Sequence, residues 1–151
     1  MNEKELLDLA IEVMDLNKTF SPILTGSLML YVRGIDKRRD SHDIDILIGV
    51  HPIDFISDII VPNGFYQCSP AYPESVKFKK NDIIIDFLYS EEFPENINGI
   101  NCANVKLLLD AKYNYYLNDE NLGSREKHRL DLEYLNYIFP VIQPFDISCL
   151  F

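Results

Sequence analysis

Two apolar segments, Ser75–Lys80 and Ile83–Tyr89, flank the dipeptide Asn81-Asp82, and this two-residue spacer constrains the chain more than any other feature. A two-residue connection closes a tight antiparallel hairpin, and Asn and Asp tolerate the positive φ angles that such a turn requires. The register follows from the turn. Lys80 pairs with Ile83, Lys79 with Ile84, Phe78 with Ile85 and Lys77 with Asp86. The second segment reads Ile-Ile-Ile-Asp-Phe-Leu, a run suited to a central strand except at Asp86. A carboxylate there is costly unless it is paired or meets a cation. Asp86 is therefore either half of an ion pair with Lys77 or part of a site.

A second acidic pattern lies upstream. Asp43-Ile-Asp-Ile-Leu-Ile-Gly is isoleucine-rich with acids at alternate positions and reads as a strand. The period of two puts Asp43 and Asp45 on one face and Ile44 and Ile46 on the other. Their α-carbons are then roughly 6.5 to 7 Å apart, so both side chains can reach one cation or a metal pair. Mg²⁺, with Mn²⁺ as its substitute, suits an open carboxylate pair because it takes one or two carboxylates plus substrate phosphates. A solvated strand face is the competing explanation. Asp86 shifts the balance, since a third acid beside such a pair is what two metals would require.

Elsewhere the pattern is helical at 3–18, 105–117 and 124–139, with a shorter helix expected over 53–60 behind Pro52. Strands are expected at 23–25 and 65–69, and the segment 90–104 reads as a loop holding Pro94 and Gly99. The tail from Pro140 to Phe151 has no readable form. With 151 residues, 47% of them apolar, the chain can bury a core without disulfides, and no repeat or linker divides it. The expected class is α+β: one domain over 1–151, with a small mixed sheet, a core at about 22–90 and a helical part at about 104–139.

Cys68, Cys102 and Cys149 are too far apart for a CxxC metal site and odd in number, which points to reduced and mostly buried thiols and a cytoplasmic setting. No stretch approaches the roughly 20 apolar residues of a membrane span, so no membrane partner is expected. The formal net charge of −10 disfavours sustained contact with nucleic acid, although a metal ion or clustered lysines can reverse the field locally.

Gly26-Ser27 lies between the strand at 23–25 and a short helix, where free backbone N–H groups and the helix dipole favour an anion. An ordinary serine-capped turn explains the dipeptide equally well. The order is more informative: an anion-binding turn, a helix, a strand with two acids, then a strand with a third. On Leu24-Thr25-Gly26-Ser27, Arg39-Asp40-Ser41-His42-Asp43-Ile44-Asp45-Ile46 and Ile85-Asp86-Phe87, the chain resembles the nucleotidyltransferase superfamily that shares its core with DNA polymerase beta. The 15 residues between Ser27 and Asp43 are closest to the spacing of the aminoglycoside and lincosamide nucleotidyltransferases and of abortive-infection nucleotidyltransferases.

The resemblance implies a Mg²⁺-dependent transfer of a nucleoside monophosphate from an NTP to an acceptor hydroxyl. Gly26 and Ser27 would hold the β and γ phosphates. Asp43, Asp45 and Asp86 would be the metal ligands and catalytic acids, with Asp86 also accepting the proton of the attacking hydroxyl. Arg39 and Ser41 match positions just before the metal acids. Lys112, Arg125, Lys127 and Asp131 resemble a helix lysine and an Arg-x-Lys-Asp-x-x-Asp run, in which His128 replaces the first acid. Lys77, Lys112 and Lys127 are the lysines expected near the nucleotide. The acidity favours a small-molecule or protein acceptor over an RNA end, and a homodimer or partner protein would complete a cleft this small. Two rivals remain: a nucleotide-binding regulatory module without catalysis, and a metal-dependent phosphodiester hydrolase.

Overall fold

The computed structural model describes residues 1–54 and 63–138. These fall into two compact units, Met1–Ile35 with Asp40–Ala103, and Asp36–Arg39 with the chain from Asn104 onward. The remainder of the helix expected over 53–60 and the tail from Pro140 lie outside the described residues. Pro52–Asp54 itself forms one turn of 3-10 helix.

The first unit holds a mixed sheet of seven described strands: β1 (Ile23–Thr25), β2 (Ile44–Ile48), β3 (Tyr66–Gln67), β4 (Ser75–Lys80), β5 (Ile83–Tyr89), β6 (Glu95–Ile97) and β7 (Ile100–Cys102). Their order across the sheet is β3-β4-β5-β2-β1-β7-β6. The pairs β2/β5 and β1/β7 are parallel and the others antiparallel. The β4/β5 hairpin has the register read from its turn, including Lys77 opposite Asp86. Asn81 and Asp82 both adopt positive φ, 52° and 64°.

Strand alternation divides the sheet into unlike faces. Ile44, Ile46 and Ile48 of β2 share one face with Leu24, Val76, Phe78, Ile85, Phe87 and Cys102, and all are buried. Helices α1 (Glu3–Leu16) and α2 (Gly26–Val32) pack with β1 and β2. The inner stripe of α1 is Leu6, Leu9, Ala10 and Val13, and Asn2 starts the helix by accepting the Glu5 N–H at 2.8 Å. The other face carries Asp45, Thr25, Asp86 and Lys77, with Ile23, Leu47, Leu88 and Ala103 forming a smaller apolar cluster further along.

The β6/β7 hairpin replaces part of the loop expected at 90–104. Its turn is Asn98-Gly99, with φ of 52° and 85°, a strong two-residue hairpin signal. The flanking strands are three residues each, too short for their alternation to be read.

In the second unit, α3 (Val105–Asn118) packs on α4 (Leu122–Ile138) through buried Leu108, Leu109, Leu132 and Leu135. Asp131 is buried among cations. It accepts hydrogen bonds from Arg38 Nε at 3.1 Å, Arg39 Nη2 at 3.0 Å and Lys112 Nζ at 3.0 Å. Tyr134 ties the same segment by donating to Asp36 at 2.8 Å. Burial alone would raise the Asp131 carboxyl, but Lys112 and Arg39 outweigh it and hold the pKa at about 2. A carboxylate depressed from 3.8 contributes stability that is present above pH 4 and lost as pH falls toward 2, here about 2 kcal/mol. Asp131→Asn should therefore cost about 2 kcal/mol at pH 7 and abolish the slope of stability between pH 4 and 2, both read by urea unfolding. An unchanged slope would assign the acid sensitivity to other carboxylates.

Candidate active site

The parallel pairing of β2 with β5 sets Asp45 directly across from Asp86. Asp43 lies just ahead of β2, two residues before Asp45, exposed and on the same face by alternation. Its charge reaches both Asp86 and Lys77. The three acids named from the sequence thus share one side of the sheet, while the isoleucines between them are buried on the other.

Antiparallel pairing of β1 with β2 puts Thr25 opposite Asp45 and brings the start of α2 beside that carboxylate. Gly26 has φ +70°, and a Cβ there would run into Asp45 Oδ2 and lie 3.1 Å from Asp45 Cγ. Glycine is therefore demanded twice, by the backbone angle and by the side chain across from it. The sequence shows a glycine beside a serine but not this contact, which depends on the β1/β2 register. Helix α2 begins at Gly26, so Ser27 falls in its first turn, where backbone N–H groups lack intrahelical partners.

Lys77 Nζ stands 3.0 Å from Asp86 Oδ2. The ion-pair alternative for Asp86 is thus real, and it sits inside the acidic group rather than apart from it. Asp86 Oδ1 is buried with no hydrogen-bond partner among the described residues. The two partners respond unequally. Burial raises the Asp86 carboxyl above its ordinary value, Asp43 adds to this, and the hydrogen bond and charge of Lys77 only partly offset it. Burial would lower the Lys77 ammonium, but the bond to Asp86 and the charges of Asp86, Asp45 and Asp43 raise it overall.

Among the described residues no three His, Cys, Asp or Glu side chains stand close enough to grip a single ion. The donor set nonetheless suits Mg²⁺: carboxylate oxygens only, one of them buried and unpartnered, on a site that need not be a closed cage because substrate phosphates complete the shell.

Ser41 is buried, its backbone N–H donates to Glu3 Oε2 at 3.3 Å, and its hydroxyl has no partner among the described residues. With Asn2, Lys4, Tyr31 and His42 it lines a cleft of about 360 Å³ at the start of α1. Arg39 and Lys112 are held on Asp131 in the second unit. Lys127 is on α4 beside His128, whose imidazole is lowered by burial and by the charges of Lys112 and Lys127. His51, for which the sequence suggests no partner, stacks on Tyr89 at 4.1 Å and bonds through Nδ1 to the Pro73 carbonyl at 2.8 Å. Cys102 is buried as expected but Cys68 is exposed, and Cys149 lies outside the described residues.

No protein-family model and no curated protein matches the chain. Solved structures do. ANT(2")-Ia, an aminoglycoside nucleotidyltransferase solved in complex with adenylyl-2"-tobramycin, superposes with a TM-score of 0.55 at 16% identity, over 91% of this chain and 92% of its own. JHP933 from Helicobacter pylori gives 0.53 at 17% identity, over 89% of this chain and 68% of its own. An antigenic nucleotidyltransferase-like protein from Paracoccidioides brasiliensis gives 0.50 at 14%, over 90% and 75%. The fold is that of the nucleotidyltransferases, as the sequence resemblance implied. At these identities the likeness speaks for architecture.

Gly26→Ala should destabilise the protein by about 1–3 kcal/mol through backbone strain, and by more through the clash. Asp45→Ala in the same chain should restore part of the loss by removing the struck carboxylate. Additive losses in urea unfolding of the single and double variants would show that the two residues do not touch.

Proposed function

We propose that the chain is a nucleotidyltransferase that moves a nucleoside monophosphate from an NTP to an acceptor hydroxyl with release of pyrophosphate. The observation that carries this reading is Asp45 opposite Asp86 across a parallel strand pair, with Gly26 pressed against the Asp45 carboxylate. That arrangement puts an anion-accepting turn and a cation-accepting face side by side. The like fold of the aminoglycoside nucleotidyltransferase supports the same reading.

Asp43 and Asp45, with Asp86, would hold Mg²⁺, which supplies charge neutralisation at the triphosphate and a lowered pKa for the attacking hydroxyl. The chain's own residues do the rest. Gly26 lacks the Cβ that would close the gap between the turn and Asp45, and the N–H groups at Gly26 and Ser27 face the negative phosphate oxygens. Asp86, raised by burial, accepts the proton of the acceptor hydroxyl as its oxygen bonds to the α-phosphorus. The bond from that phosphorus to the β-phosphate bridging oxygen breaks, and pyrophosphate leaves. With a net charge of −10 the protein repels polyanions, so a small molecule or a protein is the favoured acceptor over an RNA end.

Incubation with each α-labelled NTP, Mg²⁺ and a cell lysate should label a discrete acceptor. Asp43→Asn and Asp86→Asn should each lower that transfer by about 10²-fold or more while circular dichroism stays unchanged. Full transfer by Asp43→Asn removes the mechanism. Nucleotide cleavage with no labelled acceptor makes the protein a hydrolase, and nucleotide binding without turnover makes it a regulatory module.

A further inference from the structure

The bond of Lys77 to the carboxylate face is fixed by strand register. The residue sits on β4 directly across from Asp86 on β5, with Nζ 3.0 Å from Oδ2. Its ammonium also feels the charges of Asp45 and Asp43. Asp86 is divided between two environments: Oδ2 is taken by Lys77, and Oδ1 is buried with no partner among the described residues.

A purely stabilising ion pair accounts for less of this. The Asp86 side chain is 17% exposed within an otherwise apolar strand, where a well-packed apolar residue is commonly as stable as a paired charge. A pair kept only for stability would also leave no buried carboxylate oxygen unsatisfied. The outer half of Lys77 is open, its side chain being 49% exposed. The ammonium can therefore turn toward solvent or an incoming anion without disturbing the packing of β4, which runs through Val76 and Phe78 on the opposite face.

We propose that Lys77 is a positioning residue that stands in for a metal ion at Asp86: in the free protein its ammonium orients and neutralises that carboxylate and competes with a divalent cation for it. The inference rests on the reading of Asp43, Asp45 and Asp86 as a metal site.

The test is Mn²⁺ binding to the full chain without nucleotide, followed by electron paramagnetic resonance of free Mn²⁺ and by thermal unfolding with and without the ion. Lys77→Met and Lys77→Gln should each bind Mn²⁺ about tenfold more tightly than the wild type, since a like charge is removed from the same carboxylate. Both should unfold at a lower temperature in chelator and recover more on adding Mn²⁺. Lys77→Gln retains a hydrogen-bond donor to Asp86, so it reports on charge even if Lys77→Met fails to fold. Lys77→Arg should restore wild-type affinity, and Asp86→Asn combined with Lys77→Gln should cancel the gain. Equal or weaker Mn²⁺ binding by the Lys77 variants, with wild-type binding intact and dependent on Asp43, overturns this inference alone. Absence of Asp43-dependent Mn²⁺ binding in every variant overturns the metal-site reading and this inference with it.

Discussion

The site depends on the parallel register of β2 and β5. Because Asp45 faces Asp86 across that pair, one strand spacing, rather than a loop conformation, sets the separation of two carboxylates. A shift of one residue would send Asp86 to the face of Ile44 and Ile46, where burial would hold it neutral. Parallel pairs are built on residues buried from both sides, and on one side of this pair Asp45 and Asp86 interrupt the apolar run that Leu47 and Leu88 continue. That side gives up apolar contact to carry charge, and Lys77 is the local compensation.

Close approach is the second constraint. β1 runs antiparallel to β2, so the chain that leaves Thr25 must turn immediately beside Asp45. Only a residue without Cβ passes there, and its positive φ starts a helix in the same step. Electrostatics then follow from geometry: donors at the beginning of α2 and acceptors on β2 and β5 are brought together because one strand pair ends where the other begins.

Much of this was legible in the residues. The Asn81-Asp82 spacer fixed the β4/β5 register and so the Lys77 to Asp86 pairing, since a two-residue turn leaves no freedom. Alternation put Asp43 and Asp45 on one face. What escaped was non-local. Nothing in the order of residues says that β2 and β5 are neighbours and parallel, nor that Gly26 touches Asp45. The β6/β7 hairpin was hidden by strands too short to show a period, although Asn98-Gly99 carried the signal. Nor does the order of residues say that Arg39 bonds to Asp131, far along the chain.

The assignment of one short segment, Asp36–Arg39, to the helical unit has a consequence for dissecting the protein. Asp36–Arg39 belongs with the helices although the chain on either side of it belongs with the sheet. A fragment beginning at Asn104 would contain Asp131 and Lys112 but neither arginine, leaving a buried carboxylate with one of its three cations. A fragment ending at Ala103 would carry two arginines with their acceptor gone. The boundary that looks cleanest along the chain is thus a poor place to cut it, because the helical unit includes a strip that lies in sequence between α2 and β2.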